Sequence, residues 1–232
     1  MRKLGMIGGT SWFSTAMYYE QINKGVSKRL GGLNSAPLLL ESLNMAPVAA
    51  LELAEEWDQV AAIVADRARR LEQAGAEGLI LCSNTLHKVA GAVSEAISIP
   101  LIHIGDVAAE RLAADGVKRA GLIGTRFTVG EPFIRERIEA RGIAVSLPNP
   151  ATAEEIDRII FEELAKGQII RNSQRRLRTY LTEMAQARQQ AVVLGCTELV
   201  LLVDPGAAVL PVYDTTALHA RAAVEWITAD ES

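Results

Sequence analysis

The chain lacks most of what would mark an extracellular, metal-stapled or nucleic-acid-binding protein. Only two cysteines occur, Cys82 and Cys196, far apart and outside any C-x-x-C spacing. That argues against a disulfide framework or a structural zinc site, so both remain available as free thiols. No apolar stretch reaches the roughly 18 residues that suggest a membrane-spanning helix. The opening MRKLGMIGGT meets Gly and Thr too soon for a signal-peptide core. A cytoplasmic protein with no membrane partner is therefore expected. Lys and Arg are scattered among Asp and Glu at a net charge of −4, with no basic block, so no nucleic-acid partner is expected either. Gly8 and Gly9 follow the first apolar run without a G-x-G-x-x-G spacing or a Walker lysine, which argues against nucleotide binding. What is abundant is apolar residue: 49% of 232, enough to bury one large core or two small ones.

Short β-branched or leucine-rich runs, each followed by Gly, Ser, Thr or Asn and then a helical pattern, recur along the chain. This is the rhythm of βα units with mainly parallel sheets. Strands are expected at Leu4–Ile7, Pro37–Leu43, Gly78–Cys82, Pro100–Ile104, Ala120–Gly124, Ala144–Leu147, Ala191–Gly195 and Val209–Tyr213. Between them, EEWDQVAAIVADRARRLEQAG sets Trp57, Val60, Val64 and Leu71 at helical spacing, and Gly75 supplies a stop.

Two stretches echo two others. Lys3–Ser11 (KLGMIGGTS) resembles Arg119–Thr128 (RAGLIGTRFT), and Ile80–Leu86 (ILCSNTL) resembles Val193–Leu199 (VLGCTEL), at offsets of 116 and 113. An α/β fold of two pseudo-symmetric halves follows, each a mainly parallel sheet flanked by helices, with an active site in the cleft between them. The halves are expected at 1–115 plus 213–232 and at 116–212, with the boundary near Ala113–Lys118 and residues 212–227 returning to the first half as a closing helix. In such sheets ligands sit at the carboxyl ends of strands, where loops offer N–H groups to anions.

Setting Leu81 on Leu194 puts Cys82 on Gly195 and Ser83 on Cys196. Alternation along a strand agrees, since Cys82 and Ser83 cannot both point into one cleft. Cys82 then reads as a small buried apolar residue. Two weak acids facing one small substrate suit stereoinversion at a carbon acid: one group removes a proton, the other delivers one to the opposite face. A thiol of pKa about 8.5 can serve once a helix N-terminus or a cation stabilises its thiolate. A serine hydroxyl is a far weaker acid, so asymmetry is expected.

At these residues the chain resembles the cofactor-independent aspartate/glutamate racemase family, in particular its broad-specificity amino-acid branch. GMIGGTSWFSTAMYYEQIN, LCSNTLHKV, IIFEELAKGQI, LGCTEL and PVYDTTALHA carry the resemblance nearly end to end. It implies two pseudo-symmetric halves, a homodimer, an amino-acid substrate, no pyridoxal phosphate, no metal, and proton transfer at Cα by one residue from each half. Those residues are Ser83, which stands where a cysteine is usual, and Cys196. Abstraction by Cys196 is then the easier half of the reaction.

Asn84, Thr85 and Thr197 follow these positions and are candidates to hold an α-carboxylate and an enolate-like transition state; helix capping is their alternative. Leu86 lies in the same loop. Glu198 is a candidate to orient or protonate, or a first-turn acid favoured by the helix dipole. Thr10 and Ser11 border the substrate in the family. Family members that take acidic substrates place a basic or amide group near the position of Glu52, so Glu52 disfavours an acidic substrate and suits a neutral or cationic side chain; Lys166 and Arg126 are the available cations. His87 and His219, with Asp214, read as loop braces, and Trp12 as a pocket wall. A related isomerase or decarboxylase of the maleate isomerase kind, and a non-catalytic amino-acid-binding protein, are the alternatives.

Overall fold

The computed structural model describes residues 1–229. The chain divides into two units, Met1–His103 with the C-terminal stretch from His219, and Ile104–Leu218. The expected break at Ala113–Lys118 falls inside the second unit, because Ile104, Ala109 and Leu112 pack with Leu122, Ile134 and Val193.

In the first unit, β1 (Leu4–Gly8) is flanked by β2 (Leu38–Ser42) and β3 (Gly78–Leu81), all parallel. Helices α1 (Trp12–Leu30), α2 (Met45–Leu53), α3 (Trp57–Gln73) and α4 (Ala90–Ala96) fill the connections. β1 and β3 are wholly buried, as continuous apolar strands covered on both faces should be. Alternation sorts their side chains. Ile7, Leu79 and Leu81 join Val60, Val64 and Leu71 of α3, while Leu4, Met6, Ile80 and Cys82 join Tyr18 and Ile22 of α1 and Ala223 and Ile227 near the C-terminus. Each fully buried Leu or Ile contributes roughly 2 kcal/mol. α3 ends as its sequence suggests: Gly75 takes φ +90°, its N–H donates to Glu72 O at 2.9 Å, and Ala76 N–H donates to Leu71 O at 3.0 Å.

The second unit holds a parallel sheet of order β5-β4-β6-β7, with β4 at Arg119–Gly124, β5 at Ala144–Ser146, β6 at Ala191–Gly195 and β7 at Val212–Asp214. Its helices are α5 (Ile104–Ala114), α6 (Arg126–Gly130), α7 (Pro132–Glu139), α8 (Pro150–Arg158) and α9 (Arg171–Gln186). α10 (Thr215–Ile227) begins in this unit, and its residues from Ala220 onward pack in the core of the first.

Two expected strands need correction. Pro100–Ile104 forms only a single parallel bridge between Leu101 and Leu79, since Pro100 has no N–H and Ile104 already opens α5. The last strand starts three residues later than expected, at Val212, because Pro211 cannot donate to the ladder; its carbonyl accepts from Val192 N–H at 2.9 Å.

Candidate active site

The two sheets repeat one register. Ile7 stands against Leu81 in the first, and Ile123 against Leu194 in the second, with Gly124 against Gly195. One step beyond Leu81, Cys82 N–H donates to Ile7 O at 2.8 Å. Cys82 thus occupies the place of Gly195, and Ser83 that of Cys196, as the offsets of 116 and 113 require. In each unit a short 3-10 turn follows, Thr85–Val89 and Thr197–Leu201. Cys82 is fully buried beneath α1, and burial pushes its thiol far above the ordinary range. It is packing, not chemistry.

The glycine loop of the first unit is tied by hydroxyls. Gly9, at φ +91°, donates its N–H to Thr15 Oγ1 at 2.8 Å, and Thr15 Oγ1 donates to Ser11 O at 3.0 Å. A Cβ on Gly9 would sit 2.0 Å from Leu43 O. Ser11 Oγ caps α1, accepting from Ser14 N–H at 3.4 Å. The second unit copies this: Thr125 Oγ1 caps α6, accepting from Thr128 N–H at 3.3 Å, and Thr128 Oγ1 donates to Gly195 O at 3.2 Å. Thr10 is half-buried, with Oγ1 enclosed and unbonded among the described residues.

Ser83 is buried, and its carbonyl accepts from His87 Nδ1–H at 2.8 Å. The chain's three histidines gather here: the His87 ring lies 4.5 Å from His103 and 5.6 Å from His219. His219 donates from Nε2 to Ile102 O at 2.8 Å, which leaves Nδ1 to accept from Tyr18 Oη–H at 2.9 Å. Burial pushes His219 down to about 4, so the ring is neutral at pH 7. His219 therefore braces the fold, tying α10 to Tyr18 of α1 and to the carbonyl of Ile102. Asp214, raised by burial, accepts from Thr216 N–H at 2.8 Å at the start of α10.

Cys196 is 6% exposed and donates from Sγ to Glu198 Oε2 at 3.1 Å; Thr197 Oγ1 donates to the same oxygen at 2.5 Å. Of the two stabilisers expected for a thiolate, a helix N-terminus or a cation, Cys196 has the head of a 3-10 turn, whose backbone N–H groups of Glu198 and Leu199 favour the thiolate, and beside it a carboxylate in place of a cation. Burial first, then the Glu198 charge and hydrogen bond, raise the Cys196 thiol well above its ordinary value. The resting group is a thiol whose proton already points at an acceptor. Neither Asn84 nor Cys196, at the heads of their turns, caps with its side chain, so capping does not account for these positions.

The remaining candidates separate. Thr85 is half-buried, but Leu86 is sealed among Val60, Val64 and Leu81. Glu52 is half-buried on α2, the helix that follows the carboxyl end of β2, and burial pushes it up to about 7. Lys166 is exposed at the end of a 3-10 turn, Leu164–Lys166, that packs against Thr197–Leu201. Arg126 is held by Asp157, at 2.7 Å through its N–H and 3.2 Å through Nε. Trp12 is 62% exposed and stacks on Phe13, not on a pocket of its own unit. Sequence reasoning passed over Thr15 and Glu163. Glu163 had a signal, since Ile156, Ile159, Ile160 and Glu163 follow helical apolar spacing and place an acid in the fourth inward position.

Known proteins bear on this arrangement. The signature of the Asp/Glu/hydantoin racemases matches residues 7–223. The chain belongs to this family. It is 40% identical to a Yersinia pestis protein described as a candidate Asp/Glu racemase, covering 98% of this chain and 99% of that one at a TM-score of 0.92. It is 32% identical to an aspartate racemase homologue from Pyrococcus horikoshii OT3, covering 98% and 100% at a TM-score of 0.84. The broad specificity amino-acid racemase RacX of Bacillus subtilis (strain 168) is 22% identical over 177 residues, 76% of each chain. Among the described residues no helix is long and apolar enough to cross a membrane.

Proposed function

We propose that this member of the racemase family is a cofactor-independent amino-acid racemase in which Cys196 and Ser83 act on opposite faces of one Cα. The observation that carries the reading is the shared register: it gives a buried thiol in one unit and a buried hydroxyl in the other the same place at the end of equivalent strands. In one direction the Cys196 proton passes to Glu198, breaking S–H and forming O–H. The thiolate then takes the Cα proton, leaving the electron pair on an enolate-like carbon, and Ser83 Oγ–H supplies a proton to the other face. Solvent returns the proton from Glu198 to the Ser83 oxygen. The α-carboxylate meets Thr10, Ser11, Asn84, Thr85 and Thr197, which offer hydroxyl, amide and backbone donors. Leu86 supports this loop from within the core.

The preferred substrate has a neutral or cationic side chain. Glu52 opposes an acidic one wherever it is ionised, and of the two candidate cations Arg126 is held by Asp157 while Lys166 is exposed. The enzyme works in the cytoplasm as a homodimer. Trp12 and Tyr19, seven residues apart on one face of α1, and Leu40 on the edge strand β2 are exposed apolar side chains, which supports the reading. Light scattering tests this, with a monomer for the Trp12→Ser, Tyr19→Ser double variant.

The activity is tested by incubating a panel of L- and D-amino acids with the protein in deuterated water. Deuterium at Cα with loss of optical purity is the expected result. Binding without exchange favours an amino-acid-binding protein. Turnover of an unsaturated or malonate substrate instead favours the isomerase or decarboxylase alternative.

A further inference from the structure

The motif IIFEELAKGQI contains a group that the mechanism above leaves unused. Glu163 closes a π-helical turn, Ile159–Glu163, that continues from α8, a distortion often found at functional sites. It is 5% exposed, and its neighbours Ile159, Ile160 and Leu164 are buried in the same apolar cluster as Cys196 and Leu199. A carboxylate stands where the spacing calls for Ile or Leu.

Its two oxygens differ. Oε1 accepts from Arg158 Nη1 at 2.9 Å. Oε2 is enclosed and has no hydrogen-bond partner among the described residues. Arg158 lies at the surface and is shared with Glu162, at 3.6 Å. An ionised carboxylate oxygen inside a protein calls for a donor, and a cationic donor satisfies it best. Lys166, three residues on, is exposed at the end of the following turn and is no evident candidate.

The neighbourhood indicates which cation. Glu163 directly precedes the turn Leu164–Lys166, which packs against Thr197–Leu201, the turn that begins next to Cys196. An amino acid whose Cα meets Cys196 carries its ammonium one bond from the reacting atom. Glu198 Oε2 already receives the Cys196 thiol and the Thr197 hydroxyl. We propose that Glu163 Oε2 accepts the α-ammonium group of the substrate, making Glu163 the residue that selects α-amino acids over other carbon acids. This rests on the racemase reading for the placement of Cα at Cys196.

The test compares, by calorimetry, the panel amino acid that binds most tightly with the same molecule lacking its α-amine, which for lysine is 6-aminohexanoate. The wild-type protein should prefer the amino acid at least tenfold. Glu163→Gln should weaken the amino acid tenfold or more and leave the des-amino acid unchanged, erasing the preference. Glu163→Asp should weaken only the amino acid, to a lesser degree. Equal binding of the two ligands by the wild-type protein overturns the proposal without any variant, which covers a Glu163→Gln protein that does not fold. A preference that survives in Glu163→Gln, or that is undiminished in Glu163→Asp, overturns it too. Absence of Cα exchange by the wild-type protein is a separate result: it removes the racemase reading and leaves the ammonium preference to be decided by binding alone.

Discussion

Cys196 Sγ donates to Glu198 Oε2 at 3.1 Å, and the same carboxylate oxygen receives the Thr197 hydroxyl. A thiol so placed is held in its protonated form by burial first and by the charge next to it second, and that same charge offers its proton a place to go.

Replacing Glu198 by Gln removes the negative charge while retaining an acceptor. The thiol should then ionise at lower pH. In a Cys82→Ala background, the ultraviolet absorbance of the Cys196 thiolate should titrate with a midpoint displaced downward by at least about one pH unit, in line with the loss of a close like charge. An unchanged midpoint would mean that Glu198 does not govern this thiol.

Glu52 makes a prediction about stability. Its folded pKa is raised from 4.5 to about 7 by burial, so the fold prefers the protonated acid. That contribution is complete below pH 4.5 and is lost as pH rises through about 7. By pH 8 the loss amounts to roughly 3 kcal/mol at most. Glu52→Gln should therefore raise Tm at pH 8 and change it little at pH 4. A variant that gains equally at both pH values would show that charge is not the cause.

Gly9 fixes the loop before α1. Its φ of +91° and the approach of Leu43 O to within 2.0 Å of a Cβ leave no room for a side chain. Gly9→Ala should cost about 2 kcal/mol or more in denaturant unfolding. Gly91→Ala, where a Cβ meets open space, is the control and should cost little.

Much of this was legible in the sequence. Ile7, Leu81, Ile123 and Leu194 lie in continuous apolar runs, and the echo between the halves gave the register that pairs Ser83 with Cys196. Gly75 announced the end of α3, because only a residue at ease with positive φ completes that turn. The misses have local causes. Pro100 and Pro211 stand in β-rich runs but supply no N–H, so one run fails as a strand and the other starts late. The partner of Cys196 could not be read from spacing alone. Glu198 follows by two residues and could point anywhere, and the extended backbone of Cys196, φ −148° and ψ 131°, is what precedes the turn that brings them together. Glu163 was hidden because a run of charged residues, here Glu162 and Glu163, usually reads as a solvated face; only the inward periodicity from Ile156 distinguishes the second.

The unequal acids predict unequal directions. Exchange at Cα should be faster from the enantiomer whose Cα–H faces Cys196 than from its mirror image. Ser83→Ala should retain exchange from that enantiomer while losing inversion, and Ser83→Cys should narrow the gap by at least about tenfold, as a far more acidic group takes over the second face. Equal initial rates from the two enantiomers in the unaltered protein would contradict the asymmetry.

The most direct measurement is Cα deuterium exchange in deuterated water by Cys196→Ala, compared with the unaltered protein on the amino acid it turns over fastest. The account predicts that inversion is lost and that exchange from the enantiomer whose Cα–H faces Cys196 falls by at least about a thousandfold, with folding intact by circular dichroism. Exchange from that enantiomer that persists in Cys196→Ala at a comparable rate would contradict it.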